Sequence, residues 1–241
     1  MKPILIFTHA DCEPPGYFTP LLDLLSLPYR QTCLLVGKSS AINPKDYAGL
    51  VFMGGPGDVN QPEDWMILEI AIIHRAIQQD VPVLGICLGA QMMCLAMGGQ
   101  VKQGDAVEVG WHEVRLTEAG LKNHYFNEIP ARFTPFHWHA HHCIPPKDAT
   151  ILAHSRCTEA QAFVRGKHLA IQFHLEMDVN TIKSLITKFS SDLEGDSHCV
   201  QNQQQILDDI ENRCLQNFRT ADLTVAKWFN SLYQDSILAV Q

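Results

Sequence analysis

Three short apolar runs, each of strand length, restrict the possible folds of this chain more than any other feature: Ile4 to Phe7 (ILIF), Gly49 to Gly55 (GLVFMGG) and Val81 to Ile86 (VPVLGI). None alternates polar with apolar residues, as a strand with one wet face would, so each fits a strand buried on both faces. Between the second and third runs, QPEDWMILEIAIIHRAIQQ opens on Pro62 and two acids and repeats Ile70, Ile73 and Ile77 at helical spacing, which predicts a helix. Strand, helix, strand implies a parallel sheet with right-handed crossovers. After Gly99 the texture changes. VEVGWHEVRL alternates, RFTPFHWHAHHCIPP ends in a turn, and ILAHS, QAFVR and HLAIQFH read as further short strands. From Asp178 the pattern is helical, and Ile206 to Leu238 predicts one or two amphipathic helices. The expectation is an α/β fold: a doubly wound, mostly parallel sheet with extra antiparallel strands over residues 1–190, and a helical tail over 191–241 packing on that domain.

A chain of 241 residues with 46% hydrophobic and 18% charged residues has enough apolar material for one sizeable core. Its 18 basic residues against 26 acidic ones give a formal charge of -8, and no basic run tracks phosphates, which argues against nucleic acid as a partner. The first apolar run is four residues long and meets a proline-rich turn, so the start reads as neither a secretory signal nor a membrane span, and a cytoplasmic location is expected. Eight cysteines lie scattered without a C-x-x-C pair, which in a reducing compartment reads as free thiols.

One of those thiols stands apart by its neighbours. In GICLGAQ, Cys87 follows a buried strand, lies between Gly85 and Gly89 and precedes a helical pattern from Ala90 to Met97. A nucleophile at a strand-to-helix turn needs such a setting: small neighbours relieve the backbone, and the helix amides favour a thiolate and later an oxyanion. The alternative is an apolar core cysteine beside a glycine-rich turn, the reading that suits Cys94. A cysteine nucleophile also requires a base, and the base an orienting acceptor. AIQFHLEMD supplies His174 at the end of an apolar strand and Glu176 two residues on, although a histidine and an acid at a strand end also serve structural ends. VFMGGPGDVN places Gly54, Gly55 and Gly57 after another core strand, on the sheet edge where α/β folds bind ligands, or simply in a turn.

MGGPG, GICLGAQ and IQFHLE, in that order at the ends of core strands, together resemble the class I (triad) glutamine amidotransferase family, within it stand-alone proteins similar to the amidotransferase domain of GMP synthetase. The resemblance runs from Ile4 to about Phe189. It implies a flavodoxin-like fold and hydrolysis of the glutamine side-chain amide through a glutamyl thioester, giving glutamate and ammonia. It implies nucleophilic attack by Cys87, acid–base work by His174 and orientation of that histidine by Glu176. Oxyanion donation falls on the amides of Gly55 and Leu88, and substrate contact on Gly54 and Gln91. FHWHAHHCIPP is similar to the family's W-H-G-D segment, which makes Trp138, Ala140 and His141 contacts for the substrate's amino-acid head. Two residues depart from the family pattern: Leu175 replaces a common proline, and His141 stands where relatives usually carry an aspartate that would attract the substrate's ammonium group.

The partner expected from this reading is glutamine or another γ-glutamyl amide, with ammonia passing to a separate synthase subunit, since neither an S-G-G-x-D-S loop nor a Walker motif is present. A stand-alone hydrolase of γ-glutamyl compounds and a non-catalytic binding module are the alternatives. No cofactor is expected, and neither nucleic acid nor a membrane is expected as a partner. HWHAHH also offers H-x-H-x-x-H spacing at His137, His139 and His142, the pattern of a metal-dependent hydrolase. On a strand, however, His137, His139 and His141 share one face and His142 points away, so no metal is assigned.

Overall fold

In a computed structural model, residues 1–34, 42–194 and 197–234 are described. Along the chain, β1 (Ile4–Phe7), α1 (Phe18–Leu24), β2 (Tyr29–Thr32), β3 (Leu50–Phe52), α2 (Asp64–Gln78), β4 (Val83–Ile86) and α3 (Leu88–Ala96) make the first half. The second half adds β5 (Gln100–Trp111), β6 (Val114–Leu116), α4 (Glu118–Lys122), β7 (Arg132–Phe133), β8 (Phe136–Ile144), β9 (Thr150–Ser155), β10 (Ala162–Arg165) and β11 (His168–Ile171). Helices α5 (Val179–Lys188), α6 (Gln203–Leu207), α7 (Ile210–Leu223) and α8 (Val225–Ser231) complete it.

All three apolar runs are strands, and they lie side by side. The described residues form a nine-stranded sheet in the order β2-β1-β3-β4-β11-β10-β9-β6-β7. Pairing is parallel from β2 to β11 and antiparallel from β11 to β7. Strands β5 and β8 form a separate antiparallel pair. The helix expected between the second and third runs is α2, but it begins at Asp64 behind an extended Glu63, so Pro62 lies just outside it. Among its described residues the tail forms three helices where one or two were expected, because the extended Asp208 and left-handed Asp209 break the pattern. Residues 235–238 of the expected tail helix lie outside the described residues.

Burial of both strand faces follows the period of two. Ile4, Ile6, Val51, Leu84, Ile86, Leu169 and Ile171 pack on one side with Phe18 and Leu22 of α1 and with Trp228 and Phe229 of α8. Leu5, Phe7, Leu50, Phe52, Val83 and Ala170 face the other side, against Met66 and Ile73 of α2 and Met92, Met93 and Cys94 of α3. A third cluster joins Val109, Trp111 and Phe136 of the β5–β8 pair to Ile182 and Leu185 of α5 and Ile206, Ile210 and Cys214 of the tail. One expectation fails: Cys157 and Cys199 are joined in a disulfide, while the other six cysteines are free. The loop after β9 and the segment before α6 meet beside β5, which brings together two thiols 42 residues apart in sequence. No helix among the described residues is long and apolar enough to cross a membrane.

Trp228 is fully buried in the first cluster, and its Nε1 donates to the Lys167 carbonyl at 3.0 Å. Trp228→Ala should therefore cost about 3–5 kcal/mol, the range for a large aromatic removed from a packed core. Urea denaturation of the full chain measures it, and a loss under about 1 kcal/mol would mean that α8 packs only loosely.

Candidate active site

Cys87 sits between β4 and α3 with φ 50° and ψ -106°, a left-handed backbone conformation that few non-glycine residues adopt. The surrounding packing holds it there. Its N–H donates to the Ile171 carbonyl at 2.8 Å and its carbonyl accepts from the Gln91 N–H at 3.0 Å. A Cβ at Gly85 would come 2.6 Å from the Gly89 carbonyl oxygen, and one at Gly89 would collide with the Phe52 carbonyl. The glycines on either side of the cysteine thus permit the helix to start directly against β3 and β4. The Sγ that results is nearly buried, 3.7 Å from the Trp138 carbonyl and 3.6 Å from the Gln172 Nε2 donor.

His174 arrives from the end of β11. Its Nδ1–H donates to Glu176 Oε1 at 2.7 Å, and Glu176 Oε2 accepts the Leu175 N–H at 2.9 Å, so the carboxylate curls back over its own turn. Three further bonds hold this turn: His174 N–H to the Phe136 carbonyl (2.8 Å), Asn217 Nδ2 of α7 to the His174 carbonyl (3.0 Å), and Tyr17 N–H to the Glu176 carbonyl (2.8 Å). Nε2 of His174 makes no well-formed hydrogen bond, and the Cys87 thiol is close enough to act on the ring electrostatically. Burial works against the imidazolium, but Glu176 and Cys87 outweigh it and hold the His174 pKa well above its ordinary value.

Gly54 and Gly55 follow β3. A Cβ on Gly54 would lie 2.6 Å from Glu13 Oε2, 3.0 Å from His174 Cε1 and 3.6 Å from the Cys87 Cβ, so three functional groups converge on this bare α-carbon. Behind the turn, His9 Nδ1 pairs with the Gly54 carbonyl at 3.0 Å and Nε2 with Glu69 Oε2 at 2.8 Å. A carbonyl and a carboxylate both need a donor, so this buried ring carries both protons, and its pKa is raised: burial lowers it, and Glu69 more than compensates. The Gly55 amide donates to no backbone carbonyl among the described residues, and Leu88 offers a first-turn amide of α3.

These groups border a cleft of about 230 Å³, lined by Gly55, Cys87, Leu88, Gln91, Trp138, Ala140 and His141 of the expected residues. Gly54, His174 and Glu176 stand immediately behind it. Gln91 Nε2 donates to the His141 carbonyl at 3.3 Å, and His141 Nε2 lies 3.4 Å from Asp58 Oδ1, so a carboxylate does stand near this position, supplied by the loop after β3. Sequence reasoning missed Glu13, Gln172 and the His9–Glu69 pair. Glu13 also lines the cleft; burial and the Glu176 charge push its carboxyl above the usual range, against the pull of His174 and His9. Its signal was its place in ADCEPPG, just after β1, on the sheet edge that carries the other motifs.

The model of the family described as "Glutamine amidotransferase class-I" matches residues 28–192. The chain belongs to the class I glutamine amidotransferase family. It is 29% identical over 191 residues to the glutamine amidotransferase-like protein YfeJ of Salmonella typhimurium, covering 77% of this chain and 80% of that one. It is 31% identical over 134 residues to a GMP synthase of Aeropyrum pernix (54% of this chain, 24% of that one) and 29% identical over 148 residues to gamma-glutamyl peptidase 4 of Arabidopsis thaliana (59% of each). It thus spans about a quarter of the GMP synthase and under two thirds of the peptidase. A crystal structure of a glutamine amidotransferase from Methylobacillus flagellatus superposes with a TM-score of 0.88 at 28% identity, covering 95% of both chains.

Glu176→Gln keeps the shape of the turn and removes the charge, so the His174 pKa should fall toward or below 6.5. Because the folded value lies above the unfolded one, protonated His174 contributes stability fully below about 6.5 and loses it as pH rises through the folded value; the variant loses this contribution. Histidine Cε1–H NMR titration reads the shift, and an unchanged or higher pKa contradicts the role given to Glu176.

Proposed function

We propose that the chain hydrolyses the side-chain amide of a γ-glutamyl substrate, glutamine first among them, by a Cys87–His174–Glu176 triad. The observation that carries this reading is the placement of a strained, nearly buried thiol beside an imidazole whose far nitrogen is committed to a carboxylate. In the proposed reaction the Cys87 proton passes to His174 Nε2 and the sulfur attacks the amide carbon. The amides of Gly55 and Leu88 receive the oxyanion. His174 returns the proton to the departing nitrogen as the C–N bond breaks, leaving a glutamyl thioester. Water, deprotonated by His174, attacks the thioester and releases glutamate while the sulfur regains its proton. Gln91, Trp138, Ala140 and His141 hold the amino-acid head in this reading, with the imidazole of His141 beside Asp58.

A released ammonia molecule suits a separate synthase as acceptor, which is the arrangement favoured by the similarity to GMP synthase. A stand-alone γ-glutamyl hydrolase is the second reading, supported by the apolar wall that Leu185, Phe189 and Trp138 add to the cleft. That wall offers room and contact for a leaving amine larger than ammonia.

A panel of γ-glutamyl amides, glutamine included, assayed for released ammonia or amine separates the two. Glutamine as the best substrate supports the first reading, and a bulkier amide turned over faster supports the second. Under either one Cys87→Ala abolishes turnover with the fold intact, and His174→Ala lowers it by roughly 10²- to 10⁴-fold. Unchanged turnover in Cys87→Ala overturns the triad.

A further inference from the structure

The β5–β8 pair carries a second cluster of reactive side chains that the proposed mechanism does not use. Glu108 of β5 lies directly opposite His139 of β8, and His137, two residues before it, projects from the same face. All three side chains are buried, and one ligand atom from each lies within 4.8 Å of the others.

Their hydrogen bonding is incomplete in one particular way. His139 Nδ1 lies 3.0 Å from the His141 carbonyl, which only an N–H can satisfy, so in the neutral ring Nε2 is a lone pair. That lone pair faces the Glu108 carboxylate, with Oε2 at 3.3 Å. Gln161 Nε2 and Thr158 Oγ1 already donate to Oε2, at 2.7 and 3.1 Å. Glu108 Oε1 has no donor, His137 Nδ1 lies 3.9 Å from it, and neither nitrogen of the fully buried His137 has a hydrogen-bond partner. A proton on His139 would satisfy one contact and leave the other three atoms unserved. A cation among the three side chains serves His139 Nε2, the Glu108 carboxylate and one nitrogen of His137 together, leaving only the second His137 nitrogen.

We infer that Glu108, His137 and His139 form a binding site for a divalent transition-metal ion of the zinc type. Two imidazoles and a carboxylate suit such an ion, and bonds of 2.0–2.1 Å in a tetrahedron place ligand atoms roughly 3.3 Å apart, the spacing of His139 Nε2 and Glu108 Oε2, while His137 Nδ1 lies 3.9 Å from the other carboxylate oxygen. The outer contacts are those that metal ligands use: a ring N–H fixed on a backbone carbonyl, and a carboxylate held by side-chain donors. A cleft lined by Glu108, His112, Ser155, Cys157 and His198 reaches the site from solvent. The ion would tie β8, which carries Trp138 and Ala140 into the catalytic cleft, to β5. The site adjoins the catalytic cleft, which His139 also lines, and it leaves His142 out of the H-x-H-x-x-H pattern.

The test uses the full chain without an affinity tag, stripped with a chelator and titrated with Zn²⁺ alone. One equivalent binds and raises Tm, and both Glu108→Gln and His137→Phe weaken binding by more than about tenfold, the lower bound for even an outer-shell change. His137→Phe removes two unpaired buried nitrogens at nearly constant shape, so the metal-free variant stays folded and decides the matter if Glu108→Gln does not fold. Co²⁺ in the same site shows d–d bands without a thiolate charge-transfer band. Absence of stoichiometric Zn²⁺, equal affinity in His137→Phe, or a thiolate band, which would move the ion to Cys87 or another free cysteine, overturns the inference.

Discussion

The close approach of α3 to β3 and β4 governs the position of the Cys87 thiol, around which the cleft is arranged. Without side chains at 85 and 89, the first turn of the helix lies on the Phe52 and Met53 carbonyls, where the Gly89 N–H bonds Met53 at 3.2 Å. That contact leaves Cys87 no room for an ordinary conformation and drives its thiol toward the end of β11, where His174 stands. The strain is small beside the packing that imposes it: a non-glycine residue at positive φ costs on the order of 1–3 kcal/mol, whereas α3 buries seven of its residues. Rigidity at the elbow follows from the core.

Charge is arranged around this elbow in two layers. Near the thiol, Glu176 and Glu13 flank the His174 ring from different chain segments, one hydrogen-bonded to it and the other protonating more readily because it is buried. Further back, the His9–Glu69 pair sits behind the Gly54–Gly55 turn with side chains fully removed from solvent. A buried ion pair of this kind contributes little net stability, since desolvation offsets its Coulomb energy. Its consequence is positional: the Gly54 carbonyl is tied down by His9, which fixes the direction of the neighbouring Gly55 amide.

Much of this was legible in the sequence because it rests on local rules. Strands such as Ile4–Phe7 announce themselves by unbroken apolar runs, and GICLGAQ and QFHLE carry their spacing in a few adjacent residues. Contacts between distant segments left no such trace. Glu13 reaches Gly54, Gln172 reaches the Cys87 sulfur, and Asp58 reaches His141 only after the strands have lined up their carboxyl ends. The β2 strand, with two exposed central residues, shows no apolar run at all; its place follows from pairing with β1 at the sheet edge. The disulfide was hidden for the same reason, since scattered cysteines reveal neither their depth nor their neighbours.

The segment from His174 to Glu176 shows how remote parts of the chain complete what a motif begins. The His174 and Glu176 carbonyls are taken by Asn217 of α7 and by the Tyr17 N–H that precedes α1, and the His174 N–H is taken by β8. Tyr17 and Phe218 stack at 4.2 Å, so the two clamps are themselves joined. In the proposed reaction the imidazole accepts a proton from sulfur and returns it to nitrogen, a task that needs a fixed ring more than a strong base, because proton transfer falls off steeply with distance and angle. Helices α7 and α8 therefore act on the site without lining it: by packing Trp228 and Phe229 under the sheet, they hold Asn217 against the turn that carries His174.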